Sequence, residues 1–226
     1  MQLRAPLFAL ALAVTAMGCQ QPAFASEKPV SAPAASRVAK EGAGLKTAIF
    51  AGGCFWGVEG VFSHVKGVTS AVSGYHGGTK RSASYDLVSS GMTDHAEAVK
   101  ITYDPKVIRY DQLLRIYFSV VADPTLKNRQ GPDVGAHYRS AIVPLSGEQT
   151  AVAKAYIAQL SKAGLWNKPI VTAIERSSGF YPAETYHQDF MIKNPRHGYI
   201  RRWDAPKIAA LKAMYPGVYS ATFKRN

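Results

Sequence analysis

The residues best suited to chemistry lie in the run Ile49-Phe50-Ala51-Gly52-Gly53-Cys54-Phe55-Trp56-Gly57. A short apolar run stops at two glycines, and a cysteine follows with two aromatic residues beside it. Cys54 is one of 2 cysteines in the chain, and the other, Cys19, lies in the expected N-terminal leader. A thiol at a strand-to-helix turn faces the first free N–H groups of the helix. These favour the thiolate and so make a nucleophile. Phe55 and Trp56 would wall a recess for something small and apolar. Most free cysteines are small buried hydrophobes, but the crowding of two glycines, Phe and Trp weighs against that reading here.

A second chemical candidate is Glu97. Apolar residues alternate cleanly over residues 97–103, and Glu97 shares its parity with Val99, Ile101 and Tyr103. A carboxyl group then sits at the end of the inward face of a strand. Burial raises the pKa of a carboxyl, and one kept protonated near neutrality is a general acid. The alternative has the strand end twisting outward and Glu97 in water; parity alone does not separate the two.

The loop over residues 129–139 is polar, long and glycine-punctuated, as functional loops are. Asp133 and Tyr138 could hydrogen-bond at a site, or be a turn residue and a core aromatic. Metal binding fits poorly: there is no cysteine pair, and His95, His137, His187 and His197 are dispersed. Gly52-Gly53 does not lead to the Lys-Ser/Thr of a phosphate loop. A Cys–His hydrolase pair stays open, with His187 as the leading partner.

These residues must be positioned by a fold. Residues 47–51 read as a buried strand and 54–65 as a helix with Val58, Val61, Phe62 and Val65 on one face. Strands are expected over 68–73, 97–103, 139–144 and 170–175. An amphipathic helix is expected over 110–121, and another from Ser146, with Gln149 completing a capping box, to about Ala163. Asp204, Pro206, Ile208, Leu211 and Met214 suggest a terminal helix. The order implies an α+β class, a ferredoxin-like two-layer sandwich with a mainly antiparallel sheet, packed helices and long loops.

Residues 1–25 read as a signal peptide: Arg4, an apolar run over 5–17 too short to span a membrane, and Ala23-Phe24-Ala25 as cleavage site. The protein is therefore expected to be exported and periplasmic. In a rival reading, Cys19 carries a lipid and the protein is a membrane-anchored lipoprotein. Residues 26–44, rich in Ala, Pro, Ser and Gly, read as a flexible linker, and 45–226 as one catalytic domain. The formal net charge is +12. The basic residues are scattered, with no basic helix or aromatic RNA-binding strand, so nucleic acid is not expected as a partner.

The motifs together resemble a family. Gly53-Cys54-Phe55-Trp56-Gly57, Gly74-Tyr75-His76-Gly77-Gly78, His95-Ala96-Glu97-Ala98-Val99 and Tyr138-Arg139-Ser140 stand in the order seen in A-type peptide methionine sulfoxide reductases. Tyr186-His187-Gln188-Asp189 and Asn194-Pro195 also look like that family. The resemblance implies reduction of methionine S-sulfoxide, free or in oxidised proteins and peptides. It casts Cys54 as the nucleophile that becomes a sulfenic acid and Glu97 as the acid that protonates the sulfoxide oxygen. Tyr85 and Tyr138 match phenols that bind that oxygen, Phe55 and Trp56 the wall for the substrate methyl, and Asp133 a polar residue of the pocket. It implies no bound cofactor, an external thiol reductant of thioredoxin-like or glutathione type, and a monomer.

Two features depart from the family pattern. Many members carry further cysteines near the C-terminus, whereas none follows Cys54 here. An intramolecular disulfide is then not expected after export. Val134 stands where some relatives have histidine. Two other classes stay open on the residues alone: a different thiol enzyme, either a Cys–His hydrolase or a thiol peroxidase, and a periplasmic binding module with an aromatic pocket.

Overall fold

The computed structural model describes residues 28–225 of the chain; the expected leader and Cys19 lie outside them. Alternation sets the central strand β1 (Lys46–Gly52), whose Ala48 and Phe50 face one side and Ile49 and Ala51 the other, all buried. The helix α1 (Phe55–Ser63) crosses to β2 (Val68–His76), and the short helix α2 (Tyr85–Ser89) lies before β3 (Ala96–Tyr103). Next come α3 (Tyr110–Ile116), which runs on as a π turn over Tyr117–Val121, and a two-stranded hairpin of β4 (Arg129–Gln130) and β5 (Asp133–Val134). The chain then forms β6 (Ser140–Val143), α4 (Gly147–Ala163), β7 (Ala173–Ile174), β8 (Phe180–Pro182) and α5 (Phe190–Lys193). A second π turn, Ile200–Asp204, leads into α6 (Ala205–Met214).

The main sheet has the order β7-β6-β1-β3-β2-β8. β1 is antiparallel to both β3 and β6, and β2 to both β3 and β8; only the β6–β7 edge pair is parallel. The inner order β6-β1-β3-β2, with helical crossovers from β1 to β2 and from β3 to β6, is the ferredoxin-like arrangement. On the helix side the Phe50 ring lies 5.5 Å from Phe62, 5.9 Å from Tyr110 and 5.3 Å from Tyr117. The opposite face carries smaller residues, Ile49, Ala51, Ala96, Ala98, Ala141 and Val143, against which Phe180 packs.

Two expectations are corrected and one strand is added. The strand expected over 170–175 shrinks to β7, an outer strand with Val171 exposed, because apolar content there has no partner on its far side. β8 is unforeseen: three residues after a glycine carry too little pattern to register.

The second correction concerns the linker, for residues 28–44 are laid across the domain. Ala32 and Ala39 are buried. The Ala32 N–H donates to Ser119 Oγ (3.2 Å) and the Ala39 N–H to Asp111 Oδ1 (3.0 Å). Tyr110 N–H donates to Glu41 Oε2 (2.9 Å), and the Tyr156 hydroxyl to the Pro33 carbonyl (2.7 Å). Isolated hydrogen bonds rather than an apolar stripe hold this strap, so no periodicity announces it. Among the described residues no helix is long and apolar enough to cross a membrane.

Candidate active site

The site begins where β1 ends. Gly53 has φ of +86°, and a Cβ there would meet Gln130 Cβ at 2.6 Å, so only glycine makes this turn. The turn leaves Cys54, half-buried, as the N-cap residue of α1. The next N–H, that of Phe55, donates to Glu97 Oε2 at 2.9 Å. Glu97 enters from the start of β3, opposite Tyr75, and is 2 % exposed. Its inward parity is therefore realised. Burial, opposed by the Phe55 N–H and reinforced by Asp133 and Asp204, raises its pKa to about 8. At neutral pH this carboxyl holds its proton.

The thiol behaves differently from the expectation. Burial, then the nearby Glu97, Asp204 and Asp133, push the Cys54 thiol well above its usual range, and the Trp56 N–H only partly opposes them. The helix N-terminus was the visible influence in the sequence. The carboxyl groups that outweigh it come from three distant segments, so the resting group is a thiol.

Two phenols complete the polar wall. Tyr85 opens α2, and its N–H donates to Glu184 Oε1 (2.9 Å), while the Tyr75 hydroxyl donates to Glu184 Oε2 (2.8 Å). Tyr138 sits at the end of the 3-10 turn Ala136–Tyr138. Both phenols lie within electrostatic reach of Glu97 and Cys54, and burial, then Glu97, raises their pKa. Each is an O–H donor at neutral pH.

The apolar wall is built around Trp56. Its ring stacks on Phe190 (3.7 Å between centroids, 8° apart), and its indole N–H donates to His187 Nδ1 (3.1 Å). The His187 ring lies 4.9 Å from Phe55 and 4.5 Å from Tyr85. Burial lowers the His187 pKa, so the imidazole is neutral. No hydrogen bond joins His187 to Cys54 among the described residues; the imidazole props the indole instead. The Cys–His pair left open by the sequence is not formed.

Asp133 accepts a short hydrogen bond from the Tyr199 hydroxyl, and Tyr199 meets the Trp56 ring edge-on at 6.0 Å. Asp204 is buried beside the first turn of α1: a Cβ on Gly57 would come within 2.3 Å of Asp204 Oδ1. Between these segments lies a narrow cavity of about 30 Å³ lined by Cys54, Gln130, Gly131, Pro132, Asp133, Tyr199, Trp203, Pro206 and Lys207. Val134 stands exposed at the open end of the same hairpin, paired with Arg129.

All seven site residues expected from the sequence, Cys54, Phe55, Trp56, Tyr85, Glu97, Asp133 and Tyr138, thus gather around one sulfur. Glu184, Tyr199 and Asp204 were not foreseen. Asp204 reads in sequence as a helix start, and it does precede α6, but its side chain makes no capping bond there. Among the described residues no group of three or more His, Cys, Asp or Glu could hold a metal ion.

The family model described as peptide methionine sulfoxide reductase matches residues 46–216. The chain is 56% identical over 181 residues to peptide methionine sulfoxide reductase MsrA 2 of Mesorhizobium japonicum, covering 80% of this chain and 93% of that protein. It is 49% identical over 172 residues to MsrA 2 of Synechocystis sp., covering 76% and 80% of the two chains. Among solved structures, reduced Mxr1 from Saccharomyces cerevisiae superimposes with a TM-score of 0.61 at 34% identity, covering 71% of this chain and 92% of that one. Methionine sulfoxide reductase A of Corynebacterium diphtheriae does so with a TM-score of 0.57 at 30% identity, covering 74% and 83%.

Proposed function

The chain belongs to the peptide methionine sulfoxide reductase family and reduces methionine sulfoxide to methionine, a repair of oxidised protein; from that premise we propose how its own residues carry the reaction. The observation that carries the proposal is the Phe55 N–H bond that holds a protonated Glu97 carboxyl beside Cys54. A sulfoxide oxygen is a strong acceptor, and the Tyr85 and Tyr138 hydroxyls are the donors that meet it. The methyl group on sulfur rests against Phe55 and Trp56. Glu97 protonates the oxygen as the Cys54 sulfur attacks the substrate sulfur. With the thiol proton the oxygen leaves as water as the S–O bond breaks. Water then attacks the Cys54 sulfur, the S–S bond breaks to release methionine, and the proton freed returns to Glu97. The net change takes one oxygen from the substrate and adds one to Cys54, giving methionine and a sulfenic acid, the first step of the cysteine oxidation ladder.

Cys54 is the one free cysteine of the described residues. The sulfenic acid is then returned to the thiol by an external thiol, of thioredoxin-like or glutathione type. Export to the periplasm follows on the same proposal from the N-terminal leader, with an anchored lipoprotein as the alternative; fractionation of expressed protein separates the two. The core of the mechanism is tested without reductant. One equivalent of methionine should form per chain, and dimedone should then label Cys54. Methionine beyond one equivalent, or no label on Cys54, would refute the one-cysteine cycle.

A further inference from the structure

We propose that Arg139 is the positioning residue for Tyr138: its guanidinium clamps the turn that carries this phenol to the segment that leads into Glu97. The proposal rests on the sulfoxide-reductase reading above, in which Tyr138 meets the substrate oxygen, and adds what sets the phenol against the acid.

Tyr138 closes a single 3-10 turn, Ala136–Tyr138, between the glycine-punctuated loop and β6. The hydrogen-bond geometry of such a turn is poorer than that of an α-helix, so a lone turn is held loosely by its own bonds. Here these are the Tyr138 N–H to the Gly135 carbonyl (3.0 Å) and the Arg139 N–H to the Ala136 carbonyl (3.2 Å). The Arg139 side chain adds more. Its Nε and Nη2 donate to the two oxygens of Glu175 (2.7 and 3.2 Å). Its Nη1 donates to the Ala136 carbonyl, and Nη2 also to the Asp94 carbonyl, each at 3.1 Å. One planar group thus joins three segments: the turn itself, the residue after β7, and the approach to β3, where Asp94 stands three residues before Glu97.

The other two segments are anchored independently. β3 is paired with β2 as far as Ala96 opposite His76, and the Glu175 N–H donates to the Ile142 carbonyl of β6 (2.9 Å). The turn is therefore the member that the clamp orients. The fork matters as much as the charge. An ammonium has no flat pair of N–H groups to meet a carboxylate while reaching two carbonyls at fixed angles. The backbone also makes room for it. A Cβ on Gly77, whose φ is +109°, would lie 2.7 Å from the Asp94 carbonyl oxygen and 2.8 Å from Arg139 Nη2. Gly77 and Arg139 come from separate runs of sequence and meet at one carbonyl.

The test measures single-turnover methionine formation at saturating methyl sulfoxide without reductant, counted per titratable Cys54 thiol. Arg139→Met keeps the apolar stem and should slow the reaction at least about tenfold, the scale for a contact displaced by a fraction of an ångström to one ångström. Arg139→Lys should stay at least about threefold slow, because the charge returns without the fork. Glu175→Gln should slow it in the same direction by about threefold or more, since it leaves the two carbonyl bonds in place. The deciding readout is the double-mutant cycle with Tyr138→Phe. With the phenol gone, Arg139→Met and Glu175→Gln should each cost less than about twofold more, because the clamp acts through that hydroxyl. Running both variants through the cycle means that the test does not depend on the arginine variant folding. Full slowing by both in the Tyr138→Phe background, or wild-type rates in both single variants, would overturn the clamp while leaving Tyr138 its role. A wild-type rate in Tyr138→Phe alone would instead overturn the reading of the phenol on which the clamp rests.

Discussion

Glu97→Gln should cost activity and add stability, the second effect growing with pH. The carboxyl titrates near 8 in the folded protein against 4.5 for the free side chain. At about 1.4 kcal/mol per pH unit, that gap is worth roughly 5 kcal/mol as an upper limit, and a few kcal/mol after structural relaxation. The sign follows from proton binding. Between pH 4.5 and 8 the folded chain keeps a proton that the unfolded chain has released, so wild-type stability falls as pH rises and levels off above 8. Glutamine has no charge to bury, and its carbonyl oxygen can still accept from the Phe55 N–H. Denaturant titrations at pH 5, 7 and 9 should show the variant gaining on wild type by a few kcal/mol across that range. Single-turnover methionine formation should fall about 10²–10⁴-fold at pH 7, the range for loss of a general acid. In wild type the same rate should hold up to about pH 8 and decline beyond it. Parallel stability curves would mean that Glu97 is ionised and solvated in the folded state. An undiminished single-turnover rate would remove it from the acid role.

Cys54→Ser should abolish methionine formation while leaving the circular dichroism spectrum intact; residual turnover in purified variant would sink the thiol mechanism. Trp56→Ala removes the stack on Phe190 and the bond to His187. It should lower kcat/KM, whereas Tyr156→Ala, a core change far from Cys54, should lower stability by about 3–5 kcal/mol with little change in kcat/KM of the folded fraction; equal effects on kcat/KM would make Trp56 mere core. Gly57→Ala drives a methyl against Asp204 Oδ1, so a loss of about 1–3 kcal/mol in denaturant stability is expected, and an unchanged midpoint would show that Asp204 is free to retreat. Deleting residues 28–44 strips partners from Asp111, Ser119 and the Arg115 guanidinium. It should lower stability by several kcal/mol, and an unaltered midpoint would return the strap to the status of a tether.

The part of the site that sequence reveals is the part set by local rules. Two glycines and a helix pattern place Cys54 at a turn, and parity places Glu97 inside. What sequence hides is set by long-range approach. Glu184 positions Tyr85 from 99 residues away, and Tyr199 reaches Asp133 across 66; neither carries a local signature. The thiolate expectation failed for the same reason, since it counted the N–H groups of α1 but not the carboxyl groups arriving from β3, β5 and the C-terminal segment. In the fold, strands with partners on both sides were legible, whereas β7 and β8 owe their existence to β6 and β2 and have little pattern of their own. The strap escaped because spaced hydrogen bonds leave no period.

Both helical stretches that flank the Cys54 turn contain a π turn, Tyr117–Val121 and Ile200–Asp204. Such a turn is a helix with one residue more than its α-helical ladder can use. In the first, the Tyr117 hydroxyl donates to the Ala51 carbonyl at 2.7 Å, just before the glycine pair; the second runs from beside Tyr199 to Asp204. Each residue of an α-helix rotates the chain by about 100°. Deleting a single residue from Ile200–Asp204 would let the ladder close normally. With α6 anchored by its buried Leu211, the segment upstream would then swing by about 100° and carry Tyr199 off Asp133. The sheet would keep its register, while Asp133, released from Tyr199, would stay beside Cys54 and Glu97. The wall that Tyr199 lends to the site is therefore adjustable by chain length as well as by side-chain chemistry, and a one-residue insertion or deletion would remodel it.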